Sequence, residues 1–95
     1  DTEQPHPLVV NYTTAGYTPA SLTIPIGTTV TFTNQSGSSM WTASDPHPVH
    51  TALKSFDAKK GYAVGESYSF TFSKSGIWQY HNHLVSAHTG TIIVE

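Results

Sequence analysis

Five of the six histidines in this 95-residue chain fall in two short segments. His81, His83 and His88 lie within eight residues of one another, while His47 and His50 sit in SDPHPVHT, far away in sequence. Neutral imidazole is the commonest protein ligand for copper and zinc, and its ring also titrates near neutrality. The cluster therefore predicts either a metal site or a pH-responsive group of histidines without metal. A single histidine beside aromatic residues is usually a satisfied polar group. Five in two segments of a chain with only 11% charged residues form a different pattern, and the metal site is the preferred reading. The sixth, His6, belongs to the unpatterned lead-in DTEQPHP and is read as solvated.

The histidines need a rigid frame, and the flanking residues supply one. Ile77 to Tyr80 reads as a strand, His81, His83 and His88 as members of a short loop, and Thr91 to Val94 as a strand back. Alternate side chains of a strand take opposite faces. With Trp78 and Tyr80 in the core, Asn82 continues the inward series, and Gln79, His81 and His83 take the other side. The stretch after Asn82 is long enough to curl over the end of a barrel, which would let His83 and His88 point at one spot. Pro46 and Pro48 stiffen the segment that carries His47 and His50, so little chain entropy remains to be lost on binding.

Further strands are expected over Leu8 to Thr13, Ser21 to Pro25, Thr28 to Asn34, Met40 to Ala43 and Glu66 to Phe72. Thr28 to Asn34 alternates cleanly, with Val30 and Phe32 on one face and three threonines on the other. Tyr17 to Pro19 and Pro25-Ile26-Gly27 read as turns. Residues 51 to 65 lack alternation and predict a long loop with one helical turn around Phe56 to Lys60. About seven short strands with regularly spaced turns are the pattern of an all-β Greek-key sandwich or barrel. One domain of residues 1–95 is expected, with residues 1–7 as a loose lead-in.

The totals exclude several function classes. A net charge of −2 with four Lys and Arg offers no basic patch for nucleic acid. No apolar run approaches the twenty or so residues of a membrane span. Without cysteine there is neither a disulfide framework nor a thiolate ligand. Asp1 opens the chain with no basic-apolar leader, the pattern of an export signal already removed or never present. Asn11-Tyr12-Thr13 and Asn34-Gln35-Ser36 fit a glycosylation sequon, as chance also allows in a chain this rich in Thr and Ser.

Over nearly its full length the chain resembles the cupredoxins, small copper-binding Greek-key sandwiches of the plastocyanin and amicyanin kind. The residues from Leu22 to Asn34, LTIPIGTTVTFTN, are similar to their strand, turn, strand and Asn signature. Pro46-His47 resembles the step that carries their first histidine ligand. GESYSFTF (65–72) and GIWQY (76–80) resemble the two strands before their copper loop. His88 stands where the axial methionine would be, and His83 where a plastocyanin has its second histidine. At the place of the family's cysteine stands Asn82, so the resemblance implies no blue site of the His₂Cys type. Tyr80-His81-Asn82-His83-Leu84 also resembles the Tyr-His-x-His element of multicopper oxidase domains, in which both histidines serve copper.

The resemblance implies a cysteine-free, His-rich, type 2-like copper site with His47, His83 and His88 as core ligands and His50 or His81 as a fourth. Asn82 would fill the vacated cysteine position without ligating. The implied role is binding, transfer or electron carriage of copper in the periplasm or outside the cell, by a monomer or small homo-oligomer. Partners would be the copper ion and a redox or copper-handling protein. The other reading is a small copper enzyme acting on oxygen, superoxide or nitrite through an open three-His site, set at a subunit interface in one form of it. Apart from Asp45 no carboxylate stands beside the histidines, so the residues support binding better than catalysis. Zinc would fit the same nitrogen ligands in vitro.

Overall fold

A computed structural model describes residues 8–45, 53 and 55–95. His6, His47 and His50 lie outside the described residues, and so does the loose lead-in. Eight strands form two four-stranded sheets, and no helix occurs among the described residues. β1 (Leu8–Thr13), β2 (Gly16–Thr18), β4 (Thr28–Asn34) and β6 (Ser67–Phe72) make one sheet in the order β2-β1-β4-β6. β3 (Ser21–Ile24), β5 (Thr42–Ser44), β7 (Gly76–Asn82) and β8 (Val85–Val94) make the other in the order β3-β8-β7-β5. From β2 to β7 each successive strand crosses to the other sheet, β1–β2 and β7–β8 pair within one sheet, and each sheet has one parallel pair, β1 with β4 and β3 with β8. No described helix is long and apolar enough to cross a membrane.

Alternation explains the core. Val10 and Tyr12 of β1, Val30 and Phe32 of β4, Phe72 of β6, Tyr80 of β7 and Ile92 and Val94 of β8 face inward and are buried. Their rings interlock: Phe32 meets Tyr80 at 5.3 Å and Phe56 at 5.6 Å between centroids. Each fully buried large apolar side chain is worth roughly 1.5–3 kcal/mol, so these two inner faces hold the sheets together. On the outer face of the β4–β6 pair, Thr29, Thr31 and Thr33 bond across to Thr71, Ser69 and Ser67.

Four expectations change. Tyr17 is not a turn residue but lies in β2, because the chain already reverses at residues 14–15, next to Gly16 with its φ of +119°. The strand expected over Met40 to Ala43 is β5, Thr42–Ser44, with Met40 in an isolated bridge to Tyr62. The helical turn around Phe56 to Lys60 is absent. Asp57 instead bridges Ala43, and Phe56 accepts from the Ser44 N–H, because fully burying the Phe56 ring outweighs local helix preference. The long loop after Asn82 is replaced by a two-residue turn, His83-Leu84, with β8 starting at Val85.

Asn34 is also resolved in function. Its amide donates to the Ser38 and Tyr62 carbonyls and accepts from Ser36, and it is fully buried, so it ties the loop after β4 and is closed to glycosylation in the folded protein.

Candidate metal centre

The β7–β8 hairpin positions all three of its histidines, but on two different faces. Tyr80 and Asn82 point into the sandwich and Gln79 points out, as alternation requires. His81 and His83 share the outer face, with ring centroids 6.5 Å apart. β5 runs alongside, placing Ala43 opposite His81 and Ser44 opposite Tyr80. Just past the end of β5 stands Asp45, whose N–H donates to the Gln79 carbonyl at 3.0 Å.

That register puts the Asp45 Oδ1 atom 2.6 Å from Nδ1 of His81. The carboxylate accepts a hydrogen bond from Nδ1–H, so His81 in its neutral form carries its lone pair on Nε2. His81 is 1% exposed, and Asp45 keeps about a third of its side chain in water (33%). A carboxylate that holds a histidine in this tautomer is the usual support for a metal-ligating imidazole.

His83 is held by Trp41, the residue just before β5. Its N–H donates to the Trp41 carbonyl at 2.7 Å, and its ring lies on the Trp41 indole with centroids 4.5 Å apart. Trp41 Nε1 donates to Asp57 Oδ1 at 2.8 Å, which locks the indole. The outer face at this end therefore gathers His81, His83, Asp45, Trp41 and Asp57.

His88 is elsewhere. β8 carries three more residues than β7 between the pairs His81–Thr89 and Asn82–Val85, and His88 ends that bulge. Its imidazole turns to the sandwich interior, over Gly16, and Nδ1 lies 2.7 Å from the Tyr12 hydroxyl. The expected convergence of His83 and His88 depended on a long loop. The two-residue turn leaves no such loop, and the bulge carries His88 inward. Among the described residues no three His, Cys, Asp or Glu side chains stand close enough to hold a metal ion. A complete ligand set would draw on residues beyond them.

The described residues on either side of 46–52, the stretch that includes His47 and His50, meet at this same place. Asp45 stands on one side. On the other, the Leu53 N–H donates to Ser44 Oγ at 3.0 Å, and Ser44 Oγ itself donates to the Asp45 carbonyl at 3.1 Å.

Asn82 is a structural hub. Its Oδ1 accepts from the N–H groups of Trp41 (2.9 Å) and Leu84 (3.0 Å), and its Nδ2 donates to Tyr12 Oη (2.8 Å) and the Ser39 carbonyl (3.3 Å). Sequence reasoning missed Tyr12 and Trp41 as parts of this end of the molecule. Alternation along β1 places Tyr12 inward, but its partners come from another sheet and have no local signal.

Comparison with solved structures places the fold. A purple cupredoxin from Nitrosopumilus maritimus matches with a TM-score of 0.81 at 21% identity, over 93% of this chain and 99% of that one. A reduced amicyanin variant matches with a TM-score of 0.80 at 25% identity, over 93% of this chain and 81% of that one. A Cu(I) amicyanin variant gives 0.81 at 23% identity, over 99% and 87%. No family model and no curated protein matches the chain. The chain has the cupredoxin fold, an eight-stranded two-sheet sandwich, and contains no cysteine.

Proposed function

We propose that this chain is a copper-binding protein of cupredoxin fold whose metal lies on the outer face of the β5–β7 pair. His81 and His83 would ligate from β7, and His47 and His50 from the segment that begins at Asp45. The observation that carries this reading is the 2.6 Å contact between Asp45 Oδ1 and His81 Nδ1, which holds a buried imidazole with its lone pair on Nε2. Covalent reach supports the second pair. Asp45 and Leu53 lie beside Ser44, and the eight links between them limit the reach of the intervening residues to at most about 14 Å, counting roughly 3.5 Å per residue out and back.

The donor set fits copper. Cysteine is absent, and Met40, the one methionine, is fully buried. Imidazole and carboxylate donors suit Cu(II), which tops the affinity series of divalent metals in such sites. The Cu(I) state named for an amicyanin neighbour is consistent with this cargo. His88 is set apart from the ligands here, because its Nδ1 is taken by Tyr12 and it faces the interior.

The work of the protein's own residues is to hold imidazoles in place. Asp45 fixes the His81 tautomer, Trp41 fixes the ring plane of His83, and Asp57 fixes Trp41. Copper bound there would supply one-electron redox chemistry. Such a site suits binding, transfer or electron carriage of copper outside the cytoplasm, with zinc as a competitor in vitro. Titration of the metal-free full chain with Cu(II), followed by electron paramagnetic resonance, tests the reading. One equivalent with nitrogen couplings, a large parallel hyperfine splitting and no intense visible band is expected. Failure to bind copper above the level of a histidine-free control would overturn it.

A further inference from the structure

The interior of the sandwich beside His88 holds a second arrangement. Tyr12 is 1% exposed and rises from β1 between Asn82 and His88. The orientation of the Asn82 amide is determined by its neighbours. Oδ1 receives two backbone N–H groups, from Trp41 and Leu84, so the NH₂ must face the other way and donates to Tyr12 Oη at 2.8 Å. A phenol oxygen that already accepts an N–H sends its own proton to the remaining acceptor. That acceptor is Nδ1 of His88, 2.7 Å away. The opposite sense would leave the buried phenolic proton without a partner, at a cost of about 1–3 kcal/mol.

The other two buried tyrosines of the core differ. The Tyr17 hydroxyl pairs with the Thr42 hydroxyl at 2.8 Å, and the Tyr80 hydroxyl has no hydrogen-bond partner among the described residues. Neither has a base. Removing an electron from a phenol makes its proton strongly acidic, so oxidation is easy only where a base already holds that proton. Neutral imidazole is the side chain whose basicity suits this near neutral pH.

We propose that Tyr12 is a redox-active tyrosine, with His88 as its proton acceptor and Asn82 as a positioning residue. An outer-sphere one-electron oxidant takes one electron from Tyr12. The Oη–H bond breaks, the proton passes to Nδ1 of His88, and the products are a neutral phenoxyl radical, an imidazolium and the reduced oxidant. Re-reduction returns the electron and the same proton. Burial and the neighbouring Tyr17 ring, 4.7 Å away between centroids, shield the radical from coupling with other molecules. Asn82 Nδ2 and the newly protonated Nδ1 both donate to the phenoxyl oxygen and stabilise it.

The test oxidises the full chain with a photogenerated ruthenium(III) tris-bipyridine complex. Flash photolysis in H₂O and D₂O gives the rate, and electron paramagnetic resonance of frozen samples identifies the radical. A tyrosyl signal is expected that Tyr12→Phe removes. His88→Phe should slow its formation roughly 100-fold, the low end of what a positioned proton acceptor contributes. His88→Gln, which keeps a polar side chain without a basic nitrogen, should do the same, and both should lose the solvent isotope effect. The proposal is overturned if the signal persists undiminished in Tyr12→Phe, or if a folded His88 variant reacts at the unmodified rate. If neither His88 variant folds, the isotope effect of the unmodified chain decides, and its absence overturns the proposal.

Discussion

Nδ1 of His81 and Oδ1 of Asp45 lie 2.6 Å apart, one atom from the end of β7 and the other just past the end of β5. The contact joins the anchor of the His47 segment to the most buried histidine of the hairpin. It fixes the orientation of the His81 ring.

Asp45→Asn keeps the shape and removes the charge. Copper affinity should fall about 10-fold, the scale on which such supporting partners act. Thermal stability should change little, since a third of the Asp45 side chain is in water. Chelator competition and a thermal melt on the same sample check both halves.

Gly90 is required by Tyr80. A Cβ at Gly90 would fall 2.3 Å from Cζ and Oη of the Tyr80 ring, which is rigid and packed on Tyr17, Phe32 and Phe56. Gly90→Ala should therefore destabilise the protein by about 3 kcal/mol, at the upper end of overpacking costs. Tyr80→Phe should be neutral or stabilising in denaturant unfolding, because the lost hydroxyl has no hydrogen-bond partner among the described residues.

Alkaline stability follows from burial of the tyrosines. Burial pushes the Tyr68 phenol up from its ordinary 10 to about 12, and Tyr17 and Tyr80 are raised further by the same cause. The unfolded chain releases these protons near pH 10, before the folded one does, so their contribution is complete below pH 10 and is lost as pH rises toward 12 and beyond. Melting temperature should decline across that window, together with appearance of the tyrosinate band. A melting temperature constant to pH 12 would contradict the burial of these phenols.

Much of the sandwich was legible in the sequence because alternation is a local signal. Leu8–Thr13 and Thr28–Asn34 have the expected bounds, and Trp78, Tyr80 and Asn82 take the expected face. The turn after Asn82 was not legible. His83-Leu84 has none of the Gly, Asn or Asp residues that mark tight hairpins, so the span to His88 read as loop when it is turn and bulge. Phe56 to Lys60 was misread as helical because its partner, β5, lies more than ten residues away in sequence and leaves no local trace. The two-sided division of the histidines follows from the same bulge, which turns His88 inward. Asp45 was legible as the carboxylate near the histidines. That it meets His81 depends on the β5–β7 register, which is a product of tertiary pairing.

The copper affinities of three single variants, measured by chelator competition, test the proposed centre most directly. His81→Ala and His83→Ala should each weaken binding by at least 10- to 100-fold, about 1.4 to 2.7 kcal/mol. His88→Ala should leave the affinity within a few-fold of the unmodified chain, since its imidazole serves Tyr12 on the inner face. Loss of binding in His88→Ala, with His81→Ala and His83→Ala unaffected, would contradict a centre on the outer face of the β5–β7 pair.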